Sequence, residues 1–380
     1  MSIGKIWPSE RSERLDRQTG VRVQQLTNWM AHSHHLYFTN PGWHAGGKRL
    51  LFASDRENKY NLYDMDLASG EFVQITDYPA GTRVSFLHTS VNPQAEEAYY
   101  WLGQDLVALD LTRFSTRALY RAAEGFKPGM TNVTADGRYV CSVESEDLSA
   151  KMNLEIDHGY VGFAEFFKAH PICRIVKVAV DGSGGETVHE DRTWIGHINT
   201  SPTQARLLTF CHEGPWNLVP QRIWGFDLST GRAWKIRPQQ PDEAIGHEYW
   251  LADGERIGYH GRTPGGPVYG VVRFDDSHGF EAPFPRRSVH FHSNDDRLIV
   301  GDGSREDPRL YLWRRVESGF GEPRALAWHR GSFHIQKVHV HPRFTPDGKQ
   351  TLYTADHTGY GQVYLADVPD FESLPEPASA

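Results

Sequence analysis

Cysteine is scarce in this chain: only Cys141, Cys173 and Cys211 occur among 380 residues, far apart and never as CxxC. That excludes a disulfide framework and a thiolate zinc site. Long apolar runs are missing too. None approaches the ~20 residues that cross a bilayer, and the polar opening MSIGKIWPSERSERLDRQTG lacks the apolar centre of a secretory signal. A cytoplasmic chain with no membrane partner is expected. Basic charge is in deficit, with 40 Lys and Arg against 48 Asp and Glu and a net charge of -8, and the cations are scattered. No nucleic-acid footprint results. An anionic ligand has to be met by locally placed Arg, Lys, His or metal. No GxSxG elbow occurs, and the GSGG stretch at Gly182 lacks the strand-to-helix setting of a phosphate loop, so it reads as a turn. What stands out instead is histidine, present 20 times.

A turn followed by a short β-rich run recurs along the chain. It appears as GGKRLLFAS at Gly46, AEEAYYWLG at Ala95, DGRYVCSVE at Asp136, TQARLLTFC at Thr203, DGERIGYHG at Asp253, NDDRLIVGD at Asn294 and DGKQTLYTA at Asp347. Seven units at a spacing of roughly 40–50 residues are the mark of a propeller. Most carry a second pair of strand signals around a polar turn, as in NLYDMDLASGEFVQIT and RIWGFDLSTGRAWKI. The expected fold is all-β: residues 1–380 as one seven-bladed β-propeller domain. The last unit stops after its third strand, QVYLADV, while TGVRVQQLT near the N-terminus has β composition and no repeat of its own. That segment is expected to supply the missing outer strand and close the ring. The third unit departs from the pattern through an insertion at about 145–171, whose aromatic-rich middle predicts a short helix. It reads either as a tolerated surface insertion or as a lid over the functional rim.

Residues at the start of each innermost strand converge near the axis of such a ring. His197, His247 and His341 stand six positions ahead of Thr203, Asp253 and Asp347, so they point to one place. His290 and His339 sit at nearby positions in the sixth and seventh units. Because strand side chains alternate, His339 and His341 share a face. Gln336 just upstream and His290 from the adjacent unit are placed to complete a mixed N/O set, which suits Mn²⁺, Zn²⁺ or a similar divalent ion without choosing among them. The loop HEGPW, from His212, and Arg222 in QRIW open on the same rim. A structural role competes in each case: His247 also reads as a packed strand residue, Arg222 as an inter-blade ion pair, and Cys211 as a strand-end core residue rather than a nucleophile.

The motifs WIGH (Trp194 to His197), FCHEGPW (Phe210 to Trp216), QRIW (Gln221 to Trp224), GHEYW (Gly246 to Trp250), HFHSN with VGDGS (His290 to Ser304) and QKVHVHPRFTPDGKQ (Gln336 to Gln350) resemble those of the oligogalacturonate lyases. The likeness runs over nearly the whole chain. It implies a seven-bladed propeller that cleaves short pectin fragments, acidic oligosaccharides such as digalacturonate, by β-elimination with a divalent ion, manganese in one form. It implies His290, Gln336, His339 and His341 as metal ligands, His247 as the base and Arg222 as a contact for the substrate carboxylate. Val340 stands where proline is expected between the two histidines. His197 and His212 are expected at the substrate site without a defined task. Two other classes stay open: a lyase for another uronate-containing oligosaccharide, and a non-catalytic ligand- or protein-binding propeller of the TolB type. A TolB-type module needs no converging ligands.

Overall fold

The computed structural model describes residues 2–156 and 159–377; Asp157 and His158, inside the third-unit insertion, lie outside the described residues. Seven antiparallel sheets follow one another around a central axis, each built as a meander from inside to outside. The seven-bladed propeller expected from the repeats is the observed fold. Short strands end at turns where the chain needs left-handed backbone: Gly254 sits at φ 68°, and a Cβ there would run into the Thr203 hydroxyl of the neighbouring blade. The second strands are buried on both faces, as in Leu207–His212, because blades pack face to face around the ring.

The ring closes as the sequence predicts. Blade 7 contains Arg343–Phe344, Gln350–Ala355 and Gln362–Asp367, and its next strand is the N-terminal Arg22–Gln25, with Val23 opposite Ala366. Two further pairings were not legible beforehand. Ser12–Leu15 adds a fifth strand outside Arg22–Gln25, and Ile6–Trp7 extends the outer edge of blade 1 by pairing with Phe72 and Val73. The N-terminal segment thus reaches two neighbouring blades.

The innermost strands carry the site. In blade 4 (Ile195–Thr200) and blade 5 (Ala244–Trp250) the register slips between Ile195 and Ile198 and between Gly246 and Tyr249, placing His197 and His247 on bulges. A bulge re-aims a side chain and often lies beside a functional site. His247 at φ 50° and His341 at φ 45° adopt left-handed backbone, which disfavours any residue with a Cβ. The blade 3 insertion leaves after Tyr139–Glu146 and returns at Cys173–Ala179; it holds the expected short helix, Phe163–Lys168. Phe163 and Phe166 pack edge-on against Trp194 at 5.0 and 4.9 Å, which pins the insertion to blade 4.

Candidate active site and metal centre

His290, His339 and His341 come together where blades 6 and 7 meet, each offering one ring nitrogen within 4.8 Å of the others. Each arrives by a different device. His290 precedes the blade 6 inner strand, and its Nδ1 is 2.6 Å from Asp302 Oδ2, so Nδ1 carries the proton and Nε2 is left as the lone-pair atom. Asp302 is wholly buried, and its other oxygen accepts from the backbone N–H groups of Val289 and His290. Burial alone raises the Asp302 carboxyl, but His290 outweighs it and the carboxyl is held below its usual range. His339 gives Nε2 to the Phe333 carbonyl at 3.0 Å, and its buried Nδ1 has no hydrogen-bond partner. His341 Nε2 is also buried and unpartnered, while the His341 carbonyl accepts from His35 Nε2. Burial pushes His339 down to about 4 and His341 well below the imidazole range, so both rings are neutral at pH 7.

Two orphaned imidazole nitrogens beside a third, carboxylate-oriented imidazole are costly unless a cation takes their lone pairs. The donor set therefore fits a divalent ion. Gln336, in a short 3-10 turn, lines the same cavity as His290 and donates its amide nitrogen to the Tyr160 hydroxyl at 2.6 Å, leaving Oε1 as its ligand-type atom.

His247 lies against this trio, its ring 4.9 Å from that of His290 and nearly parallel to it, with Trp216 edge-on at 4.8 Å. Its Nδ1 is 2.8 Å from the Val289 carbonyl and 3.0 Å from His260 Nε2. A carbonyl accepts only, so Nδ1 is protonated and Nε2 carries the free lone pair. Burial, then the neighbouring His290 and His260, push His247 well below the usual imidazole range. The ring is neutral at pH 7, yet less basic than the free imidazole that sequence alone suggested.

Arg222 differs most from its sequence reading. Its guanidinium is buried, and its fork is already taken: Nη1 and Nη2 donate to Glu213 at 2.6 and 3.2 Å, beneath Trp216. Nε has no acceptor and faces Glu248 Oε2 across 4.0 Å. Glu213 and Arg222 both line the cavity. Burial raises the Glu213 carboxyl, Arg222 more than offsets this, and it is held below its usual range.

These groups face a cavity of about 420 Å³. One wall holds His197, Glu213, Arg222, His247 and His290; the insertion supplies the opposite, largely apolar wall through residues such as Met152, Leu154, Ile156 and Phe163. His197 reaches the cavity, with Nε2 3.3 Å from the Tyr37 hydroxyl. His212 does not. It ends a strand, packs at a tilt against Trp224 with ring centroids 5.0 Å apart and lies 3.1 Å from Asp191. Its alternating strand position turns it away from the wall that Glu213 joins. Cys211 is buried, with its thiol raised well above the usual range by burial, so it is no nucleophile. His197, Cys211 and Glu213 also have donor atoms within 4.8 Å of one another, but the Arg222 charge on Glu213 opposes a cation there. Sequence reasoning missed Glu213, Glu248 and Asp302, although each lies inside a motif it quoted; an acid flanking a candidate histidine was the available signal.

The model of the family described as oligogalacturonate lyase matches residues 1–372. The chain belongs to the oligogalacturonate lyase family. Two curated members are similar over almost their whole length: an oligogalacturonide lyase of Pectobacterium atrosepticum, 28% identical over 97% of this chain and 99% of that one, and an oligogalacturonate lyase of Dickeya dadantii, 26% identical over 93% and 95%. Among solved structures, an oligogalacturonate lyase in complex with manganese superposes with a TM-score of 0.86 at 26% identity, and one from Vibrio parahaemolyticus with 0.87 at 27%; each comparison covers 97% of this chain and 99% of the other. Membership of this lyase family does not favour the non-catalytic reading. No helix among the described residues is long and apolar enough to cross a membrane.

Proposed function

We infer that this protein is an oligogalacturonate lyase that cleaves short oligogalacturonates, digalacturonate among them, by β-elimination, leaving a 4-deoxy unsaturated uronate that rearranges to the 5-keto sugar. The observation that carries the reading is the packing of His247, its Nε2 lone pair free, against the three-histidine cluster in a family member. His290, His339 and His341, with Gln336, would hold the metal; manganese is favoured by the similar lyase solved in complex with that ion. When bound, a divalent ion supplies Lewis-acid neutralisation of the C6 carboxylate.

The rest falls to the chain itself. His247 Nε2 takes the C5 proton, its Nδ1–H bond to Val289 fixing tautomer and aim, while the C4–O4 bond breaks and the departing oxygen takes a proton from solvent. A base of lowered basicity needs a substrate already made acidic at C5, which a divalent ion held by the adjacent histidines would provide. Arg222 orients a substrate carboxylate, for which it must release part of its fork from Glu213. The apolar wall of the insertion keeps water from the reacting face. We propose that residues 1–380 act as one domain, with the 145–171 insertion as part of the active-site rim. The three unpaired, buried cysteines support a cytoplasmic setting.

The test is incubation with digalacturonate while unsaturated uronate is followed by absorbance, with and without chelator. Product that depends on added divalent ion is expected. No product with any metal removes the substrate assignment, and product insensitive to chelation removes the metal.

A further inference from the structure

Glu248 follows His247 in the blade 5 inner strand and is wholly buried. Neither of its carboxyl oxygens has a hydrogen-bond donor. It faces the unpartnered Arg222 Nε across 4.0 Å, while Glu213 holds the opposite, terminal nitrogens of the same guanidinium. Three charge-bearing groups therefore cluster at one cavity wall, Glu213 and Arg222 lining it and Glu248 buried behind Arg222. If both acids were ionised, that wall would carry one net negative charge against an anionic substrate, and Arg222 would be gripped from two sides. With Glu248 neutral, the Arg222–Glu213 pair balances and the guanidinium is held on one side only, by an acid that another carboxylate can replace.

We propose that Glu248 is a positioning residue for Arg222: it stays in the neutral acid form while substrate binds, so that the Arg222 fork can pass from Glu213 to a substrate carboxylate. The proposal rests on the reading of Arg222 as the substrate-carboxylate contact. Burial without donors raises the Glu248 carboxyl to about 7, with Arg222 opposing the rise. The other titratable groups facing this wall change charge elsewhere. Glu213 is held below its usual range, burial puts His197 at about 4 and His247 well below the usual imidazole range, and burial lifts Cys211 and Tyr37 well above theirs. Above neutrality, loss of the Glu248 proton would lock Arg222 between two carboxylates and weaken binding more than turnover.

The experiment measures KM and kcat of the metal-loaded enzyme on digalacturonate between about pH 6 and 8.5, where the substrate carboxylates stay ionised. In the wild type, KM is expected to rise on the order of tenfold, about 1.4 kcal/mol, with a smaller change in kcat. In Glu248→Gln, which cannot ionise, KM should stay flat; in Glu248→Asp the rise should persist with a shifted inflection. A KM in Glu248→Gln that climbs as in the wild type overturns the proposal, and so does a uniform rise at every pH, the signature of a packing role. Should Glu248→Gln not fold, isotope-edited infrared spectra of the wild type decide: a buried carboxylic-acid band present at pH 6 and lost by pH 8.5 supports the proposal, and its absence at both overturns it. Arg222→Gln separates the two readings. Unchanged KM there removes the substrate role of Arg222 itself, whereas raised KM there with a wild-type pH profile in Glu248→Gln removes only the proposal for Glu248.

Discussion

His290 donates Nδ1–H to Asp302 at 2.6 Å, and this one bond decides which ring nitrogen meets His339 and His341. Outer partners of this kind fix the tautomer and raise ligand basicity. Asp302→Asn keeps the shape and loses the charge. Metal affinity should fall by roughly 10–100-fold with the melting temperature little changed, as read by calorimetric titration with Mn²⁺.

His341→Ala removes an imidazole whose buried Nε2 has no protein partner. Bound metal and activity should disappear together, and the increase in melting temperature on adding Mn²⁺ should vanish with them. An undiminished thermal response would dissociate His341 from the ion.

His247→Ala should behave differently. Turnover should drop by about 10²–10⁴-fold, the usual contribution of a general base, while metal content measured by atomic absorption stays that of the wild type. Near-normal kcat would remove the base assignment.

How much of this was legible in the chain depends on distance in sequence. The seven repeats announce themselves because a turn and its flanking strands lie within about ten residues, and turn chemistry is local. The converging histidines were legible for the same reason: equal offsets from three equivalent turns place His197, His247 and His341 near one axis. Arg222 shows the limit. That it sits on the rim could be read from its motif, but the closure of its fork by Glu213 and the isolation of Glu248 depend on burial and rotamer, set by packing between blades 4 and 5. His212 fails for a related reason, since a one-residue difference along a strand reverses the face it presents. The pairing of Ile6–Trp7 with blade 1 was hidden because a two-residue strand carries no periodicity.

The ring closure offers a stability test. Val23 is buried among Phe344, Tyr353 and Tyr364 where the N-terminal strand joins blade 7. Val23→Ala should cost about 2 kcal/mol, seen as a lower urea midpoint with unchanged slope.

A pH effect on stability is expected away from the active site. Burial disfavours charge on His44, but Asp64 at 2.9 Å and Glu96 at 2.6 Å outweigh it, and the folded pKa is raised. The stabilisation is complete below the ordinary imidazole value of about 6.5 and is lost as pH rises through the raised one. The melting temperature should therefore fall toward alkaline pH more steeply in the wild type than in His44→Gln.

The pairing of Arg22–Gln25 with Gln362–Asp367 also sets when the protein can work. Two of the three clustered histidines stand in blade 7, a sheet whose partners lie at opposite ends of the chain. During synthesis the N-terminal hairpin must wait, with one edge of Arg22–Gln25 open, for some 340 residues to emerge before that edge finds its partner. Tight metal uptake should begin only once these two distant segments have met, which would make manganese binding a marker of ring closure in folding.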